Sequence, residues 1–170
     1  MNNKAIDLAN SVWFKNNNQG EILYDQSWFT EHFLTEDSTL EIPLKASFIE
    51  QLLTLRTLLL EILSTGEISE LQREQLDEYL SKAIYHPKIS YKDGIMSSSW
   101  FCVSDYENQL LSEIAQDLIR LFSENKIEHV KTCSNDECQY YFIDHSKNKS
   151  KKFCSSKCNN LIKMRRYRAK

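Results

Sequence analysis

Cys133, Cys138, Cys154 and Cys158 follow the spacing C-x4-C-x15-C-x3-C. No other feature narrows the folding choices of this chain as much. Two close pairs separated by a short insert let each pair present two thiolates. The insert then brings the second pair round to close a tetrahedron about one Zn²⁺. A module of about forty residues buries too little surface to fold alone. Metal binding would contribute on the order of 10 kcal/mol to its folding. His145, in the insert, is a substitute ligand by residue type, although four cysteines already complete the tetrahedron.

Charge singles out the same region. Between Lys147 and Lys170 there are ten Lys/Arg and no Asp or Glu. The formal charge of −3 therefore hides two opposite halves, an acidic front of 130 residues and a basic tail. The tail divides into a loop (Lys147, Asn148, Lys149, Ser150, Lys151, Lys152) and a terminal helix (Lys163, Arg165, Arg166, Arg168, Lys170). Guanidinium forks match phosphate oxygens, and small polar side chains add hydrogen-bonding reach. A solvated charged tail is the plainer reading, but such a tail needs no metal to hold its shape. No apolar leader follows Met1, and the most apolar stretch, from Phe48 to Leu63, is interrupted by Glu50, Gln51, Arg56 and Glu61. The expectation is a cytoplasmic protein, where paired cysteines hold metal more often than disulfides. The fifth cysteine, Cys102, lies beside Trp100 and Phe101 and reads as a small buried hydrophobe.

The front reads mainly as helix. Apolar positions from Ala46 to Ser64 form a broad helical stripe that Gly66 stops. Ser69-x-x-Gln72 is a capping box opening a helix to about Tyr85, which Pro87 ends. Asp93-Gly94 supplies the turn of a β-hairpin between residues 88–92 and 95–103. Ser104-x-x-Glu107 reads as a second capping box, opening a helix to about Ser123. Trp28, Phe29, His32 and Phe33 follow helical spacing, with His32 as a packed residue. Asn125–Val130 is the expected junction, and its shortness brings the two parts into contact. The expected fold is mainly α with one β-hairpin: a helical domain over residues 1–127 and a treble-clef or ribbon-like finger over 128–170.

The run Cys133-x4-Cys138-x3-Phe142-x-Asp144-x-Ser146-x-Asn148-x-Ser150-x3-Cys154, followed by Cys158-Asn159 and Tyr167-Arg168, resembles the CGNR zinc finger. In that family the finger follows an ABATE domain of stress-induced transcription regulators. Leu8-Ala9-Asn10, the helix bearing Leu55-Arg56, and the helix, hairpin and helix that follow are similar to that domain. The sequence departs from the pattern twice. The second pair is C-x3-C, not C-x4-C, and the namesake Cys-Gly-Asn-Arg is replaced by Cys158-Asn159-Asn160-Leu161. Arg165 and Arg166 stand one turn beyond the missing arginine. The resemblance implies DNA binding through the basic residues and one zinc per chain.

Arg56 sits inside an apolar stripe, with Ile49, Leu52, Leu53, Leu59, Leu60 and Leu63 at helical offsets. An unpaired buried guanidinium costs several kcal/mol, so the sequence leaves three readings open. It forms a buried ion pair, with Asp7 as the candidate partner; it holds a small anionic effector together with Asn10; or it snorkels from the edge of the stripe. Catalytic signatures are missing: three glycines leave no phosphate loop, and no nucleophile elbow or His-Glu-x-x-His helix occurs. The leading expectation is a DNA-binding transcription regulator, with no membrane partner and with homodimers allowed. RNA binding and a finger docked on an acidic protein are the alternatives.

Overall fold

The computed structural model describes residues 3–17, 19–34 and 44–169. The chain is mainly helical, with two small antiparallel hairpins. Helix α1 (Lys4–Asn10) starts at Asn3, whose side chain accepts from the Ile6 N–H, and runs directly into α2 (Val12–Asn16). A 3-10 turn at Ile22–Tyr24 leads to α3 (Gln26–Phe33), capped by Asp25. Helix α4 (Ala46–Thr65) is the central rod and ends at Gly66, whose φ of 72° allows the left-handed cap. Helix α5 (Glu70–Leu80) opens with the Ser69–Gln72 capping box read from the sequence.

Helix α5 stops five residues before the expected end. Ala83 and Ile84 belong to neither helix nor strand, and Ile84 is exposed. Pro87 does not break the helix; it lies within β1 (Tyr85–Lys92), opposite Trp100 of β2 (Ile95–Cys102). A two-stranded ribbon tolerates proline there because its outer edge needs no N–H donor. Asp93 and Gly94 make the turn, both with positive φ. Helix α6 (Tyr106–Ser123) is capped by Asp105, not by Ser104. The Ser104 hydroxyl is already engaged at the base of the hairpin, accepting from the Ile84 N–H and donating to the Lys82 carbonyl. Local side-chain competition thus shifts the cap by one residue.

The core lies where α1, α4 and α6 meet, with α3 and α5 closing its sides. Leu8, Phe29, Phe48, Leu55, Leu59 and Ile114 are all fully buried. Truncating one such leucine to alanine costs about 2–5 kcal/mol. His32 stacks on Trp28, with ring centroids 4.1 Å apart, as a packed histidine would. Past a 3-10 turn at Ile127–His129, β3 (Val130–Thr132) pairs with β4 (Tyr141–Ile143), and α7 (Ser156–Arg168) closes the chain. Val130, Tyr141 and Ile143 pack against the helical core, so the C-terminal module is seated on α1 rather than tethered by a free linker.

Candidate metal centre and basic face

The Arg56 helix position determines what the front domain can hold. Its guanidinium reaches both oxygens of Glu21, at 2.9 and 2.7 Å, and the Ser11 hydroxyl at 2.8 Å. The pair is nearly closed to water, with side chains 6% and 16% exposed. Buried pairing is therefore correct, but the partner is Glu21 and not Asp7. Glu21 also accepts from the Leu23 N–H at 3.3 Å, which holds the carboxylate in place. Asp7 keeps one buried oxygen without a hydrogen-bond partner. Its desolvation lifts the carboxyl to about 6, His32 opposing and Asp117 reinforcing the shift.

Asn10 is engaged elsewhere. Its amide donates to the Tyr141 carbonyl at 3.0 Å and accepts from the Tyr141 N–H at 2.7 Å. One side chain thereby imitates a neighbouring strand along β4. The Trp13 indole adds a 3.0 Å bond to the Glu137 carbonyl and meets Tyr140 edge-on. Asn10 and Arg56 therefore do not converge on a shared anion: one docks the C-terminal module and the other staples the core. A cleft of about 620 Å³ remains between α1–α2 and the first cysteine turn.

The cysteines come together as their spacing requires. Cys133 leaves β3, and Asn135 turns the chain by accepting from the Cys138 N–H at 2.8 Å. Cys154 precedes α7, and Cys158 lies in its first turn behind the Ser155 cap. All four Sγ atoms lie within 4.8 Å of one another. Cys138 to Cys154 is 3.6 Å and Cys154 to Cys158 is 3.8 Å. A tetrahedral thiolate site with metal–sulfur bonds of about 2.3 Å has edges of about 3.8 Å, so the donor set fits a four-coordinate ion. The Asn135 amide points at the Cys158 sulfur (3.6 Å) and the Cys154 N–H at the Cys133 sulfur (3.4 Å), as outer partners of thiolates do. His145 is exposed and lies outside the cluster.

Asp144 organises the loop that follows. Its carboxylate is fully buried. One oxygen accepts from the Ser146 N–H (2.9 Å) and hydroxyl (2.6 Å), the other from the Lys131 ammonium (2.7 Å) and the Lys151 N–H (2.9 Å). Burial works to raise its pKa, but Lys131, Ser146 and Lys151 together hold it well below the usual carboxylate range. Ser134 N–H to Lys152 carbonyl, at 2.8 Å, binds the far end of the loop to the first cysteine turn. Sequence reasoning included Asp144 in a motif but gave it no task. The available signal was one acid preceding ten cations.

The basic residues divide more sharply than their sequence suggests. Lys147, Asn148, Ser150, Lys151 and Lys152 are exposed on the loop. Lys149 turns its ammonium back to the Asp144 carbonyl (3.1 Å), and its φ of 50° marks the tight bend there. The Lys151 ammonium lies 5.3 Å over the Phe142 ring. On α7, Lys163 and Arg166 share one side, Arg165 and Arg168 the other, by helical spacing. Arg165 is held by Glu137 at 2.7 Å. The remaining described cations of residues 147–169 have no acidic partner among the described residues. Lys170 lies outside the described residues.

A four-cysteine metal finger built from a turn, a hairpin and a ligand-bearing helix is the class of module this geometry defines. The CGNR zinc finger family model matches residues 129–170, the same stretch. The residues before 129 lie outside that match. No curated protein matches the chain. No helix among the described residues is long and apolar enough to cross a membrane.

Proposed function

We propose that the chain is a zinc-dependent, DNA-binding transcription regulator of the cytoplasm, binding one zinc through Cys133, Cys138, Cys154 and Cys158. The reading rests on one observation above others: a four-cysteine, Asp144-braced scaffold displays cations that have no acidic partner among the described residues. Rigid presentation of uncompensated charge favours a polyanion, because little side-chain and loop entropy is lost on binding. Loop cations Lys147, Lys151 and Lys152, with Lys163, Arg166 and Arg168 of α7, contact phosphates; Asn148 and Ser150 add neutral hydrogen bonds. Zinc is structural here, since four thiolates leave no open position for a substrate. The module therefore binds rather than catalyses, and the helical domain positions it.

Fluorescence anisotropy with mixed-sequence duplex across a salt series tests this reading. Each phosphate contact contributes about 0.9 to the log–log slope. Alanine at Lys151, Lys152, Arg166 and Arg168 flattens the slope and weakens binding to every sequence, and chelation abolishes it. Equal affinity of parent and quadruple variant refutes the proposal. Preference for single-stranded RNA, or capture only by acidic protein, reassigns the same face to the corresponding partner.

A further inference from the structure

The β1–β2 hairpin is two-faced, and one face has no partner. The register places Pro87 opposite Trp100, Ile89 opposite Ser98 and Tyr91 opposite Met96. These six alternate out of the pleat on one side. The reverse side bears His86, Lys88, Ser90 and Lys92 on one strand and Ile95, Ser97, Ser99 and Phe101 on the other, so it mixes polar with apolar side chains, Phe101 lying under the Lys88 ammonium at 5.5 Å. Such alternation is the pattern of a sheet with one buried face. Yet Ile89, Tyr91, Met96 and Trp100 are 70%, 72%, 70% and 71% exposed. Only Tyr85 and Cys102, at the base, are part-covered. No other described element packs extensively on the ribbon.

We propose that this apolar face is the docking surface for a second copy of the chain, face to face about a two-fold axis. A lone two-stranded hairpin is at best marginally stable in water, so the ribbon requires a cover. The four large side chains expose about 600 Å² together, taking roughly 170–250 Å² for each when fully open. Two such faces in contact remove about 1,200 Å² from water, the lower bound of a specific protein–protein interface. The patch lies at the upper end of what monomers commonly leave open.

Charge selects the partner. Residues 1–130 are strongly acidic, and two copies meeting elsewhere on that surface would oppose like charges. Between Tyr85 and Cys102 the charged residues are Lys88, Lys92 and Asp93 alone, and none of them lies on the apolar face. Opposed copies put neutral surface on neutral surface and leave both lysines facing water. An acidic partner would instead be drawn to the lysine face. The register sets the small Ser98 between Met96 and Trp100, where a large side chain of an identical ribbon has room to pack. Identical patches satisfy a closed two-fold interface.

The test is sedimentation velocity on the full-length, zinc-loaded protein through the micromolar range, with plain phosphatidylcholine vesicles as a parallel arm. The parent sediments as a dimer at the upper concentrations and does not float with vesicles. Trp100→Glu and, separately, Ile89→Glu bury an unpaired charge in the interface and raise the dissociation constant by about a hundredfold or more. Both keep the parent's helical circular dichroism, because the core lies elsewhere. Lys88→Glu, on the reverse face, leaves the dimer intact, and chelated protein still dimerises. That last arm separates this proposal from the nucleic-acid reading, which fails without metal. A parent that stays monomeric, dimers that survive both glutamate substitutions, or a monomer carried by vesicles overturns it.

Discussion

Removing Arg56 should do more damage than removing any surface arginine, and the structure sets the size of the loss. Arg56→Met keeps the length and apolar character of the stem but deletes both bonds to Glu21 and the one to Ser11. Ser11 retains its bond to the Leu8 carbonyl at 2.7 Å and loses little. Glu21 is left as a nearly buried carboxylate without a counter-charge, at a cost of about 3–5 kcal/mol. For a chain of this size that lowers the melting temperature by about 10 °C. The companion Glu21→Gln strands the guanidinium instead and loses a comparable amount. The informative case is the double variant: once both charges are gone only the neutral amide at position 21 remains to desolvate, and most of the stability returns. Thermal melts of the four proteins complete a double-mutant cycle. A double variant losing the sum of the two singles would refute the argument, as would a single loss below about 1 kcal/mol, the scale of an exposed pair.

Three further outcomes follow from the same geometry. Cys154→Ser loses the metal and loosens residues 131–169 to hydrogen exchange. It leaves α4 and α6 protected but exposes the α1 surface that Tyr141 and Ile143 cover; a metal-free protein with an ordered tail contradicts this. Asp144→Asn puts an amide NH2 where two donors expect an oxygen, so whichever of the Ser146 and Lys151 amides faces it loses exchange protection and duplex binding weakens while the metal-to-protein ratio stays at one. Unchanged protection removes Asp144 from its organising role. Asp7→Asn stabilises the protein at neutral pH: burial raises the folded carboxyl from 3.8 to about 6, so the parent progressively loses stability as pH rises through that window. Below pH 3.8 the carboxyl is neutral in both states and the melting difference vanishes; an equal difference at pH 3.5 and pH 7.5 refutes the assignment.

Helices were legible wherever periodicity and capping coincided. Helix α4 combines a broad apolar stripe with a glycine stop, and α5 an S-x-x-Q box, so their starts and the α4 end match the reading within a residue. Where a second demand competed, local signals misled. Ser104 carries an N-cap side chain but spends it on the hairpin base, leaving Asp105 to start α6. Pro87 carries a helix-ending ring but sits in a strand whose outer edge asks nothing of it. Such competition involves residues distant in the chain, and no window of sequence contains both parties.

The metal centre was legible because ligand spacing is a short-range constraint: two cysteines four or five apart share one turn whatever surrounds them. The function of the acids was not. Glu21, Glu137 and Asp144 each neutralise one chosen cation, and the choices run across 35, 28 and 13 positions. Their combined effect is to remove Arg56, Arg165 and Lys131 from the free positive charge and to leave the other described cations of the basic run without an acidic partner among the described residues. A count of lysines and arginines therefore overstates the face while understating its order. One buried carboxylate at Asp144 ties the loop through four hydrogen bonds, and the four-cysteine cluster gathers at the start of the helix beside it. Acidic residues, not basic ones, determine which cations this finger can offer to a partner.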